Sequence, residues 1–184
     1  MQTYISILRG VNLGGINSLK MAALKDLLLQ KGFGDVETYI QSGNVVYRFP
    51  EIIPEMLSQR IREALHSAFG LEVPVITLSL PQLETVVENN PFLKEAHVDT
   101  AFLHVTFLDG EPHAAGIEKL KSGAYEPDAF EVLNKAVYLH CPKGYGNTKL
   151  SNKFLETKLK VAATTRNWKT TVTLLEMARR KNAR

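Results

Sequence analysis

The order of apolar runs restricts this chain most, because one alternation of strand-like and helix-like segments is written in it twice. Residues Thr3 to Leu8 are short, apolar and β-prone, and Met21 to Lys31 then sets Met21, Leu24, Leu27 and Leu28 at helical spacing. Gly32 and Gly34 close that helix, after which Val36 to Ile40 and Val45 to Phe49 read as a hairpin about Gln41-Ser42-Gly43-Asn44. Pro54 to Phe69 places Leu57, Ile61, Leu65 and Phe69 at every fourth position, and Val73 to Leu78 supplies a last strand. The order is βαββαβ, a ferredoxin-like unit.

A linking helix opens at Ser79-Leu80-Pro81 and ends near Asn89-Asn90-Pro91, and the order begins again. Ala101 to Leu108 reads as a strand and Ala114 to Lys121 as a short helix. Ala129 to Leu133 and Ala136 to Cys141 form a hairpin about Asn134-Lys135, and Lys149 to Lys158 a helix with Leu150, Phe154 and Leu155 inward. No clear closing strand is expected in Val161-Ala162-Ala163-Thr164-Thr165. Asn167 is expected to cap a final helix carrying Trp168, Val172, Leu175 and Ala178. The fold class is therefore α+β, an internal duplication of a ferredoxin-like βαββαβ-type unit whose second copy ends in an extra C-terminal helix. The expected divisions are a first repeat over 1–79, a linking helix and loop over 80–98, and a second repeat with a basic C-terminal helix over 99–184.

Between the first strand and the first helix lies Arg9-Gly10-Val11-Asn12-Leu13-Gly14-Gly15-Ile16-Asn17. Glycines let a backbone approach a ligand closely and take positive φ, and a following helix offers N–H groups to an anion. This joint is neither nucleotide signature. It lacks the Walker spacing and its terminal Lys-Ser/Thr, Lys20 comes too late, and G-x-G-x-x-G is absent.

Charge is distributed unevenly. Residues 143–184 hold half of the 22 Lys and Arg but only Glu156 and Glu176, a net +9, which leaves −6 on the preceding stretch and +3 overall. Such a split fits an acidic partner at the C-terminal part, or a solvated basic face in which Arg179, Arg180 and Lys181 complement a helix dipole. Cys141 is the single cysteine, which excludes an internal disulfide framework and a Cys cluster for zinc and favours a reducing compartment. The first residues have no basic n-region, and their apolar run is too short for a signal peptide or membrane span, so a cytoplasmic protein is expected.

The combination of Arg9-Gly10-Val11-Asn12-Leu13-Gly14-Gly15, Tyr39-Ile40-Gln41-Ser42-Gly43-Asn44-Val45, Asn90-Pro91-Phe92, Lys149-Leu150-Ser151 and Ala163-Thr164-Thr165-Arg166-Asn167-Trp168 resembles the bacterial family called domain of unknown function 1697. The likeness runs over nearly the whole chain and implies a bacterial source and an α+β fold with internal duplication. It carries over no activity and no catalytic residue. Leu13 stands where the family more often has Val.

The motif residues form the candidate ligand site: Arg9, Asn12, Gly14, Gly15, Gln41, Ser42 and Asn44 from the first half, with Lys149, Ser151, Thr165, Arg166, Asn167 and Trp168 from the second. The set is rich in donors suited to phosphate or carboxylate, with Arg9 or Arg166 able to bind bidentately, and poor in general bases. The plainer alternative is that the glycines serve turns while Asn12, Asn44 and Asn167 bond the backbone locally. His104 and His140 are read as sharing one less apolar face of neighbouring strands, opposite Leu103, Val105, Val137 and Leu139, where they could exchange protons or be satisfied locally. Tyr4 and Tyr47 could stack bases on a sheet but read as core residues, since no RNP1 pattern surrounds them. No metal spacing and no cofactor signature is present.

The functional reading is a protein that binds a small anionic, phosphate-bearing ligand in a cleft between the repeats, catalytic or not. The alternatives are a nucleic-acid-binding module using the basic C-terminal part, and an interaction module without ligand chemistry. No membrane partner is expected, and the sequence leaves the oligomeric state open.

Overall fold

Alternating side chains in Gln2–Leu8 give a strand, β1, that is buried on both faces and therefore reads as an almost continuous apolar run. The computed structural model describes residues 1–183. After β1 come α1 (Met21–Gln30), β2 (Gly34–Tyr39), β3 (Asn44–Phe49), α2 (Pro54–Phe69), β4 (Val75–Ser79) and α3 (Leu80–Glu88). The second series is β5 (Leu103–Leu108), α4 (Ala114–Lys121), β6 (Ala129–Leu133), β7 (Ala136–His140), α5 (Asn152–Leu159), β8 (Ala163–Asn167) and α6 (Trp168–Asn182). Residues 1–85, together with α6 from Thr173 onward, make one compact unit, and Val86–Val172 make another.

Each unit holds a four-stranded antiparallel sheet, ordered β2-β3-β1-β4 in the first and β6-β7-β5-β8 in the second. The two sheets repeat one another down to single hydrogen bonds. Leu8 N–H donates to Gly43 O at 2.8 Å as Leu108 N–H donates to Lys135 O at 2.9 Å. Arg9 N–H donates to Pro74 O at 2.9 Å as Asp109 N–H donates to Ala162 O at 3.0 Å. This is the expected α+β architecture with its repeated βαββαβ-type unit and C-terminal helix.

One element departs from expectation. The segment expected to lack a closing strand forms β8, which pairs with β5 from His104↔Asn167 to Leu108↔Ala163. Apolar periodicity could not mark it, because Thr165 and Arg166 point to opposite faces and both are polar. Asn167 does cap α6, its Oδ1 accepting from Thr170 N–H at 2.8 Å.

In the first unit, α1 and α2 cover one sheet face. Met21, Leu24, Leu27 and Leu28 of α1 and Leu57, Ile61 and Leu65 of α2 pack with Tyr4, Leu8, Val45, Tyr47 and Phe49. Each fully buried Leu or Ile there contributes about 1.5–3 kcal/mol relative to exposure. Helix α2 starts at Pro54 and stops at Gly70 in the left-handed conformation, where proline has no N–H to waste and glycine carries no Cβ penalty. In the second unit Leu120, Leu150, Leu155 and Leu159 pack with Leu108, Val137, Leu139 and Ala163.

The opposite face of the first sheet is met by α6. Thr3 Oγ1 donates to Asn182 Oδ1 at 3.4 Å, and Lys181 Nζ, only 3% exposed, lies 3.0 Å from Asp35 Oδ2 and 3.5 Å from Glu37 Oε2. Arg180 pairs with Glu37 at 2.9 Å and Arg179 with Glu84 at 2.8 Å. The β2–β3 register shifts between Gly34 and Glu37, and Asp35 takes φ +46, so a bulge turns both carboxylates toward the ammonium. The basic tail thus neutralises acidic residues of the first half.

A buried cation is far more costly unpaired than removed. The double variant Asp35→Asn/Glu37→Gln should therefore lose about 2–3 kcal/mol in urea unfolding, discounted because the carboxylates are nearly half exposed, and Lys181→Met less than about 1 kcal/mol. Equal losses would show that the ammonium is not desolvated in the fold.

Candidate functional site

The glycine-rich joint folds on itself as a small hairpin. Leu13 and Ile16 bridge at its tip, Ile16 N–H donates to Leu13 O at 2.9 Å, and Asn12 N–H donates to Asn17 O at 3.1 Å. Asn12 sits at φ +56 and spends its whole amide on the backbone. Its Nδ2 donates to Leu19 O at 2.8 Å and Gln41 O at 2.7 Å, and its Oδ1 accepts from Leu19 N–H at 2.8 Å. Asn17 ties the base of the loop through Nδ2 to Gly10 O at 3.0 Å. Leu13, Gly14, Gly15 and Ile16 are exposed, the two apolar side chains by 62% and 68%.

The motif of the β2–β3 turn is likewise turned inward. Asn44 is buried, and its Nδ2 donates to Tyr39 O at 3.1 Å and to Ser42 Oγ at 2.9 Å. Ile40, a β-branched residue, takes φ +47, a strained conformation for its type. Gly43 is required twice: its φ is +79, and a Cβ there would lie 2.6 Å from Val11 Cγ2 and 2.7 Å from Leu8 Cβ. The structure therefore brings Asn12, Gln41, Ser42 and Asn44 together beside the end of β1, where Arg9 is half-buried, but Asn12 and Asn44 serve as struts there.

The second-unit residues make a different kind of cluster. Thr165 Oγ1 donates to Asn152 Oδ1 at 2.6 Å, an acceptor only, so the neighbouring hydroxyls must donate to it: Thr106 at 2.7 Å and Tyr145 at 3.0 Å. His104 stacks on Tyr145 with ring centroids 4.9 Å apart, and its register partner is Asn167. The His104 Nδ1 lies 3.3 Å from Phe102 O; a carbonyl only accepts, which puts the proton on Nδ1 and leaves Nε2 as an acceptor. Burial holds His104 below the usual imidazole range, so it is neutral at pH 7. Ser151 caps α5, accepting from Phe154 N–H at 3.4 Å, while Lys149 is exposed beside it. Trp168 is buried at the start of α6.

Arg166 does not share this face. As the residue between Thr165 and Asn167 it points to the other side of β8, where burial draws its guanidinium down to about 10 and Nη1 donates to Thr165 O at 2.9 Å. It remains charged at neutral pH.

The expected histidine pair is not formed. Antiparallel partners share a face, and the partners are Leu103↔His140 and His104↔Leu139, so the two histidines lie on opposite faces of the sheet. His140 instead lies 6.0 Å from the Phe92 ring. Sequence reading passed over Thr106, Tyr145 and Asn152. The clue to Thr106 was available in the first repeat, where Ser6 holds the matching strand position.

Tyr4 and Tyr47 are core residues. Tyr4 OH bonds Ile52 and Tyr47 OH lies 2.9 Å from Ser6 Oγ, fully buried, with burial pushing its phenol above the usual range. Neither offers a face for base stacking. Cys141 is buried too, and its thiol is pushed up to about 11, first by desolvation and then by Asp128. Among the described residues no three His, Cys, Asp or Glu side chains are grouped to hold a metal, and no helix is long and apolar enough to cross a membrane.

Two antiparallel α+β units of one topology, one sealed and one carrying a polar cluster, define the class of protein. The model of the family described as "Protein of unknown function (DUF1697)" matches residues 1–138, and the chain belongs to that family. The match ends before Lys149–Ser151 and Ala163–Trp168. Among solved structures the chain is similar to the conserved bacterial protein SP0830 from Streptococcus pneumoniae, at 22% identity and a TM-score of 0.75, over 96% of this chain and 98% of that one. This likeness concerns the fold. No curated protein matches the chain.

The two glycine positions should separate by mechanism. Gly43→Ala adds a clash to a left-handed backbone and should cost about 2–4 kcal/mol, whereas Gly14→Ala, with nothing within 4 Å of the added methyl, should cost about 1–2 kcal/mol from φ alone. Thermal unfolding of both variants measures the difference, and equal costs would mean that the turn does not pack on β1 as described.

Proposed function

We propose that the protein binds a small anionic, phosphate-bearing ligand at the polar cluster of the second unit. The observation that carries this reading is the hydroxyl–amide network about Thr165. Its acceptor capacity is filled internally, while the amide nitrogen of Asn152 has no partner among the described residues. Asn167 keeps its own amide nitrogen unpartnered in the same way, since its Oδ1 is the group that caps α6. Unspent N–H donors beside the first turns of α5 and α6, with the exposed cation Lys149 close in sequence, suit an anion. Ser151 and Thr165 act as supports, Trp168 as a neighbour, and the Arg9–Asn44 group of the first unit as a scaffold for its own loop.

The nucleic-acid alternative loses three of the cations it counts on, because Arg179, Arg180 and Lys181 are occupied by Glu84, Glu37 and Asp35. A module without ligand chemistry is the remaining rival.

Trp168 is the only tryptophan and adjoins Asn167. Its emission should change with ribose 5-phosphate or a nucleoside monophosphate. Asn152→Ala should weaken that binding about 10- to 150-fold, the loss of one hydrogen bond to a charged group. Binding should fall only shallowly with salt. No response to these compounds, together with saturable binding of single-stranded RNA that collapses steeply with salt, would replace this reading with the nucleic-acid one.

A further inference from the structure

The repeat itself supplies a control for reading the second-unit cluster. Position by position, β1 and β5 carry the same hydroxyl pair against the closing strand: Ser6 faces Thr77 with oxygens 2.8 Å apart, and Thr106 faces Thr165 at 2.7 Å. In the first unit the pair is sealed. Tyr4 and Tyr47 cover it, both buried, and the Tyr47 hydroxyl completes the Ser6 bond at 2.9 Å.

In the second unit the same pair is less fully covered: Thr106 is buried, but Thr165 is half-buried. His104 stands at the position of Tyr4, Asn167 at that of Ser79, and Leu139 at that of Tyr47. The phenol comes instead from Tyr145, in the loop after β7, and it, His104, Asn152 and Thr165 are all half-buried rather than buried. Leu139 is itself a core residue and the Asn167 oxygen caps α6, so the replacements that packing does not require are His104 and the loop phenol of Tyr145. The surround leaves two chemically opposite groups on one face: N–H donors from Asn152 and Asn167, and the Nε2 lone pair of His104, whose Nδ1 proton is held at Phe102 O.

An anion that only accepts hydrogen bonds would meet that lone pair with an oxygen lone pair of its own, leaving both groups unsatisfied. We infer that this face selects an anion that also carries a proton to give: a hydrogen phosphate, or a phosphate ester with a neighbouring hydroxyl, with His104 accepting the proton's hydrogen bond and the amides donating to the phosphate oxygens. Fully ionised, proton-less anions of the same shape are rejected. This inference rests on the anion reading above and names the ligand chemistry of the same site.

Inorganic phosphate and sulfate separate the two ideas, because they match in shape while only phosphate keeps an O–H at pH 7. Calorimetric titration of the intact protein at pH 7 should show phosphate bound at least about tenfold more tightly than sulfate. His104→Phe keeps a ring against Tyr145 and should bring the two affinities together. Should that variant fail to fold, the wild-type comparison still decides, supported by the His104 Cε1 proton resonance shifting with phosphate and not with sulfate. Equal binding of both ions by the wild type, or an unchanged preference in a folded His104→Phe, overturns the selection by His104 while leaving an anion site. Binding of neither ion, nor of ribose 5-phosphate, overturns the anion site itself.

Discussion

The ammonium of Lys181 is the constraint on which much of the first unit depends. A cation almost fully removed from water needs opposite charge held at close range, and the chain provides it by distortion. The bulge after Gly34 and the positive φ of Asp35 interrupt β2 in order to aim Asp35 and Glu37 at one point. That point fixes the C-terminal half of α6 on the sheet face opposite α1 and α2. It also converts a sequence-level charge imbalance into internal ion pairs, with Arg179 and Arg180 as more exposed and weaker companions. Three of the cations behind the tail's positive charge, Arg179, Arg180 and Lys181, are thus fastenings within the first unit.

Much of the fold was legible because its helices and turns obey strong local rules. Pro54 and Gly70 bracket α2 by the same chemistry that makes proline an initiator and glycine a terminator, and Ala114–Lys121 follows its apolar spacing. Strand β8 was not legible. Its Thr164-Thr165-Arg166-Asn167 run has polar residues on both faces, one set joined to the hydroxyl network and the other carrying a half-buried guanidinium, so neither alternation nor a continuous apolar run marks it. Parity of the histidines failed for a related reason. Strands buried on both faces do not say which side a residue takes, and only the Leu103↔His140 register does.

The candidate site divides in the same way. The glycine-rich joint was the most conspicuous binding motif in the sequence, yet its asparagines are spent: Asn12 makes three hydrogen bonds to backbone, and Asn44 bonds Tyr39 and Ser42 from a buried position. Residue type alone cannot distinguish an amide that braces a loop from one that waits for a ligand, because the same donors and acceptors do both. The distinction lies in which atoms remain unpaired once the chain has folded. Asn12 has none, whereas Asn152 retains its amide nitrogen.

The internal repeat sharpens that distinction beyond what either unit offers alone. Ser6 and Thr77 show that this strand pair tolerates two facing hydroxyls in a dry core when a phenol completes their bonding. Their presence as Thr106 and Thr165 is therefore no sign of function. What differs is the surround: at the position of Tyr4 a buried phenol gives way to the half-buried imidazole of His104, a serine gives way to Asn167, and with Leu139 at the strand position of Tyr47 the phenol comes from the half-buried Tyr145 of a loop. Placing a half-buried imidazole where the first unit buries the Tyr4 ring forgoes hydrophobic stabilisation that the first unit retains. A loss of that kind in one copy, at one face, with donors and an acceptor left unpaired together, is what a ligand would have to repay.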